Sequence, residues 1–238
     1  KPVGLARMRG SMREVVLIVS GVLIALSLEA MWQYRVDRSD EQALLEEFAI
    51  EFQENENTLD RWIVLHQSVA SSVEALLGYL ESTGEGASVT LPDSLIALIG
   101  RNPTFDPDLS SLDAAVSSGR ISLIRSPETQ SALASWSRSL ADAQEEEQRA
   151  SEQLYRELLP ILGEVALIGE AYSWLISDVR DIMRGGVGIE RPTSSSFMVV
   201  DRRLINALWV RYRLTRLAEN ELQILRSDLT DVLALLGR

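Results

Sequence analysis

A chain of 238 residues, 46% of them hydrophobic, has enough apolar material to bury a real core, which excludes disorder for most of its length. The formal charge of -12 is unevenly spread: residues 1–38 carry a net +3 and the remainder -15, a polyacidic body that disfavours nucleic acid and a basic leader of the kind found at a cytoplasmic membrane face. There are no cysteines and one histidine, so a disulfide framework and thiolate chemistry are excluded.

The first predicted element is the stretch REVVLIVSGVLIALSLEAMWQYR, Arg13 to Arg35. Val15 to Leu28 is an unbroken run of 14 apolar or small residues between Glu14 and Glu29, by itself the length of a core helix or a signal-peptide segment. Counted through Trp32 to Tyr34 it reaches 20 residues with one carboxylate and one glutamine. As a helix that is roughly 30 Å, the hydrocarbon thickness of a bilayer. The only small-residue match to a cleavage site, Ala25-Leu26-Ser27, is embedded in apolar sequence, so the run reads as a membrane anchor in preference to a cleaved signal or a soluble core helix.

Arg13, Trp32, Tyr34 and Arg35 fall where a spanning helix meets its interfaces, and Gly21, Ala25 and Glu29 share one helix face of the small-residue kind that lets another membrane helix approach closely. Four basic residues precede the run, whereas Arg35 and Arg38 after it are mixed with Asp37, Asp40 and Glu41. This asymmetry predicts a single-pass protein with its N-terminus cytoplasmic and its C-terminal body outside, which in a bacterial inner membrane, the expected location, is the periplasm. Residues 1–38 are then leader and anchor, and residues 39–238 the periplasmic domain.

Beyond the anchor, Leu45, Phe48, Phe52, Asn55, Leu59, Trp62, His66, Val69, Val73, Leu76 and Leu80 alternate steps of three and four, the pattern of a helix packed along a narrow seam. No helix breaker lies between Arg13 and Gly78, so anchor and seam form one rod or a rod bent near Asp37 to Asp40, ended by Gly84, Gly86 and Pro92. Pro92, Gly100, Pro103 and Pro107 then predict short helices and turns. Pro127 starts a second long helix, whose ladder is Leu154, Leu158, Ile161, Val165, Ile168, Tyr172, Leu175, Val179 and Ile182, with a bend expected at Pro160. Residues 185–196, GGVGIERPTSSS, read as a loop. The third ladder is Leu208, Thr215, Ala218, Leu222, Leu225, Leu229, Val232 and Leu236, closed by Gly237. The expected fold is all-α: an N-terminal transmembrane helix continuing into an antiparallel bundle of three long helices plus short ones.

Residue chemistry offers little. His66 sits on the seam with no second histidine or cysteine to complete a metal site, and reads as a core histidine. Glu145-Glu146-Glu147 reads as a solvated helix face, Gly185-Gly186-Val187-Gly188 as a connector, and Trp62, Trp136, Trp174 and Trp209 as packing residues. No catalytic residues, cofactor or metal ligands are expected, and the chain is not expected to be an enzyme.

Two stretches carry a resemblance: the anchor run followed by LLEEFAIEFQENENTLD, and LSSLDAAVSSGRISLIRSPETQSALASW. Together they resemble a bacterial family of uncharacterised, N-terminally anchored membrane proteins over about the first 140 residues and, more loosely, the C-terminal helix. The usual Gly-Glu before the apolar run is kept here only as Glu14, and the polar segment after it is replaced by SLEAMW. The resemblance implies an anchored helical protein and brings no activity or cofactor. The expectation is a non-catalytic accessory subunit that docks on a larger membrane complex, respiratory or photosynthetic, through its membrane helix and an exposed bundle surface. The alternative is a periplasmic sensor or ligand-binding bundle acting through a partner.

Overall fold

The computed structural model describes residues 4–165 and 195–237. Helix α1, Gly4–Thr83, is a single helix of 80 residues. The apolar run and the first ladder are therefore one rod, with helical structure carried through Asp37 to Asp40. Local pairs support that joint: Gln33 donates to Asp37 at 2.8 Å and Arg38 to Glu41 at 3.0 Å, one turn apart along the helix surface. The rod stops where Gly84 takes a left-handed φ of 91° and its N–H returns to the Leu80 carbonyl at 3.2 Å, a conformation that glycine adopts without a side-chain clash.

The chain then forms β1, Ser88–Pro92, and the short helix α2, Asp93–Ile99. After an irregular stretch come α3, Ser110–Ser117, and a 3-10 turn, Arg120–Leu123. Helix α4, Pro127–Gln153, begins as expected at its proline, with Ser126 as N-cap accepting from the Thr129 N–H at 3.1 Å. Just ahead of Pro160, where a bend is expected, the helix widens. Leu154–Leu158 is a π turn in which the Leu159 N–H reaches back to the Leu154 carbonyl, and α5, Leu159–Val165, follows directly. Pro160 has no N–H to bond back into this continuous helix, and the wider turn ahead of it gives room to its ring.

Ser195–Val199 form strand β2, which pairs antiparallel with β1 in the register Val89↔Met198. Ser195 and Ser196 are therefore in a strand and not in the expected loop. The all-α class holds for everything else described. Ladder positions Ile168 to Ile182, Trp174 and most of the 185–196 loop lie outside the described residues.

The last helix, α6, Arg202–Leu235, is capped by Asp201, which accepts from the Arg203 N–H at 2.7 Å. Side-chain pairs fix the helix directions. Glu41 meets Arg125 and His66 meets Glu147, so α4 runs parallel to α1. Glu85 meets Arg202 and Asp60 meets Arg226, so α6 runs antiparallel to α1. The long crossing from 84 to 126 makes the parallel pair possible.

Two apolar clusters lie along the bundle. The one nearer the N-terminal end of α1 gathers Leu44, Phe48, Phe52, Leu59, Phe105, Trp136, Leu222 and Leu229. The distal one gathers Val69, Val73, Leu76, Leu80, Leu154, Leu158, Leu204 and Leu208, and is closed by Val89, Leu91 and Met198 of the two-stranded ribbon.

Candidate functional site

Two features stand apart from ordinary packing. The first is the apolar run itself. Leu17 is 73% exposed, Ile24 61% and Trp32 69%, and no apolar position from 17 to 36 is buried. A core helix of a soluble protein would bury this stripe, so that alternative fails for the described chain. The helix is long and apolar enough to cross a membrane, and an uncovered apolar surface of this length marks contact with lipid or another protein.

Gly21, Ala25 and Glu29 lie exposed on this stretch, and a Cβ added at Gly21 would meet nothing within 4 Å. Trp32, Tyr34 and Arg35 are exposed at its end, and the Arg125 guanidinium lies 4.6 Å from the Tyr34 ring centroid. Arg13 is on α1, but its side chain lies outside the described residues.

The second feature is a polar belt that separates the two apolar clusters. His66 of α1, Glu147 and Gln153 of α4, and Arg211, Thr215 and Glu219 of α6 are all buried between them. The His66 Nε2 is 3.0 Å from Glu147 Oε1, so this ring nitrogen donates to the carboxylate. The same carboxylate accepts the Phe105 N–H, at 3.1 Å and 3.0 Å from its two oxygens. Glu147 is thus a buried acceptor, which corrects the reading of 145–147 as a solvated face; only Glu145 fits that description well, with its side chain 61% exposed.

Arg211 donates to the carbonyls of Ala150 and Arg101, and Gln153 donates to the Ala207 carbonyl at 2.9 Å. Burial pushes the Arg211 guanidinium down to about 10, because desolvation penalises its charge. The carbonyl bonds offset part of that cost. His66 Nδ1, Gln153 Oε1, Arg211 Nε and Thr215 Oγ1 are buried without a hydrogen-bond partner.

The belt has a clear structural effect. The irregular 100–109 stretch has no regular backbone bonding of its own, and the helices supply its partners. Asn55 grips Asp108 twice, donating to its carbonyl at 2.7 Å and accepting its N–H at 3.0 Å. Glu51 accepts the Ser111 and Leu112 N–H groups at 2.5 and 3.3 Å, capping α3 from a neighbouring helix. Replacing Glu51 with alanine is expected to cost about 1–2 kcal/mol, the range for a lost cap. A urea titration of the purified protein checks it, and an unchanged midpoint would refute the role.

No family model, curated protein or solved structure matches the chain.

Among the described residues no three His, Cys, Asp or Glu side chains are grouped as a metal site would need. His66 has one carboxylate partner, and that carboxylate is also spent on a backbone N–H. The belt as it stands holds a loop. Sequence reading missed Glu147 and Arg211 as buried groups, although both fall on seam spacing: Ala143, Glu147, Ala150 and Leu154 continue the α4 ladder, and Arg211 fills the skipped step between Leu208 and Thr215.

Proposed function

We propose that this chain is a non-catalytic accessory subunit of a bacterial inner membrane, its N-terminus cytoplasmic and its bundle periplasmic, that docks on and stabilises a larger membrane complex of respiratory or photosynthetic type. The observation that carries this reading is the wholly exposed apolar run, joined without interruption to a helix of the bundle core. A spanning helix that needs only to tether a domain can end in a flexible linker. Here the helix continues as the spine of the bundle, so whatever holds the anchor also orients the body.

The open Gly21, Ala25, Glu29 face fits the contact. With no lipid-driven hydrophobic force between helices, close approach at small residues is what makes membrane helices associate. The resemblance to N-terminally anchored helical proteins agrees with this reading and is part of the proposal.

The test is native electrophoresis of gently solubilised membranes. The protein is expected to migrate with a much larger assembly, and Gly21→Leu, at a position where an added Cβ meets nothing within 4 Å, is expected to reduce that association about tenfold. Migration of the unaltered protein as a free monomer or dimer would overturn the proposal.

A further inference from the structure

Helix α6 is covered on one side only. Leu222, Leu225 and Leu229 enter the apolar cluster shared with α1 and α4, while the opposite side carries a second ladder that stays exposed. Val210 is 42% exposed, Leu217 37% and Ile224 44%, each seven residues from the last. Arg213, Asn220 and Ser227 are exposed between them at alternating steps of three and four, so the set has the spacing of a helix–helix seam. Its upper part is an open groove lined by Trp209, Val210, Arg213, Leu217 and Asn220.

Charge narrows what fits this seam. The body carries -15, but α6 has six arginines against four carboxylates, a net +2. It is therefore the helix on which two copies of an acidic body repel each other least. In a parallel seam the residue before each apolar position lies beside the one five further along in the other helix. For two α6 helices that sets Trp209 by Leu214, Arg216 by Glu221 and Gln223 by Asp228 of the second copy, with no like charges among these pairs.

The membrane supplies the geometry. Two copies that cross one bilayer stand parallel and at one height, so a two-fold axis along the membrane normal lays this face of α6 on itself, with α1 and α4 outside. The seam from Val210 to Ser227 is about 26 Å long. It offers about ten residues a side, half of what a freely formed pair uses, and confinement to one membrane offsets that deficit by raising the effective concentration of the second copy.

We propose that a second copy of this chain covers the outer face of α6, in a parallel pair built on Val210, Leu217 and Ile224. The proposal rests on the anchor reading above, which sets the two copies parallel. It is separable from docking on a larger assembly: a free dimer on the native gel overturns that reading and leaves this one standing.

The absence of cysteine allows single thiols in the full chain. Val210→Cys, Leu217→Cys and Ile224→Cys place them on the seam, and Val64→Cys and Tyr155→Cys at exposed positions away from it. The protein is reconstituted at high lipid dilution in vesicles of phosphatidylcholine and phosphatidylglycerol and treated with a short bis-maleimide. All three seam variants are expected to cross-link to a dimer at least about fivefold more than the two controls, because only the seam holds paired thiols together. Ile224→Glu added to Val210→Cys is expected to cut the yield about tenfold by setting a carboxylate against its own copy, and Arg213→Leu to raise it about threefold by removing the one like-charge contact between Val210 and Ser227.

Yields no higher than the controls, with the protein recovered in the vesicles, would overturn the self-contact and leave the anchor intact. Cross-linking at only one of the three seam positions would mean an antiparallel pair and would overturn the shared orientation as well. A yield unchanged by Ile224→Glu would overturn the assignment to this face.

Discussion

Glu147→Leu is expected to destabilise the bundle by about 3–5 kcal/mol, the cost of removing one member of a buried charged network and leaving its partners unpaired. One carboxylate serves both the Phe105 N–H and the His66 ring, and the substitution strands both in a site that water does not reach. Glu147→Gln keeps the shape and one acceptor oxygen, and is expected to cost only about 1–2 kcal/mol. His66→Leu removes one of the two stranded partners, so the double variant His66→Leu/Glu147→Leu is expected to lose less stability than the sum of the single losses. Urea unfolding of the four proteins, followed by far-UV circular dichroism, decides the matter. Strictly additive losses would mean that the two side chains are not coupled across the belt.

The second large effect belongs to the apolar cluster nearer the exposed apolar run. Trp136 is fully buried, with its ring centroid 4.7 Å from that of Phe52, and Trp136→Ala opens a cavity between α1, α4 and α6. The expected loss is about 3–5 kcal/mol, which for a body of roughly 200 residues lowers Tm by about 10 °C. Trp136→Phe is expected to cost much less than that. It keeps most of the ring contact, and it also removes the indole N–H, which is buried without a partner and so carries a desolvation cost of its own. A thermal melt that gave equal losses for alanine and phenylalanine would show that the cost comes from something other than the cavity.

These two sites mark how far the sequence was legible. Trp136 and the first and third ladders were readable because a seam repeating every three and four residues is a direct image of a buried helix face; of the positions named in those two ladders, all but Leu45, Trp62 and Leu236 are fully buried. The exposed apolar run was readable for the same reason, a run with no matching polar face. Glu147 and Arg211 were not, because a charged residue at a seam position looks like a gap in the pattern until the loop that it holds is seen beside it. The ribbon was missed because five-residue strands separated by more than a hundred residues leave no local period to detect, and β1 ends in a proline that argues against a strand. The wide turn ahead of Pro160 was not legible either: proline removes one hydrogen bond, and how a helix reroutes around it leaves no mark in the residue pattern.

The continuity of α1 also works as a ruler. From Tyr34 to Thr83 the helix runs 49 residues, about 75 Å at 1.5 Å each. Any neighbour that grips the apolar run and any neighbour that touches the distal ribbon are therefore held apart by a distance written into one helix. Inserting or deleting a few residues anywhere along it would change that spacing and, at about 100° per residue, would also turn the ribbon to face a different direction.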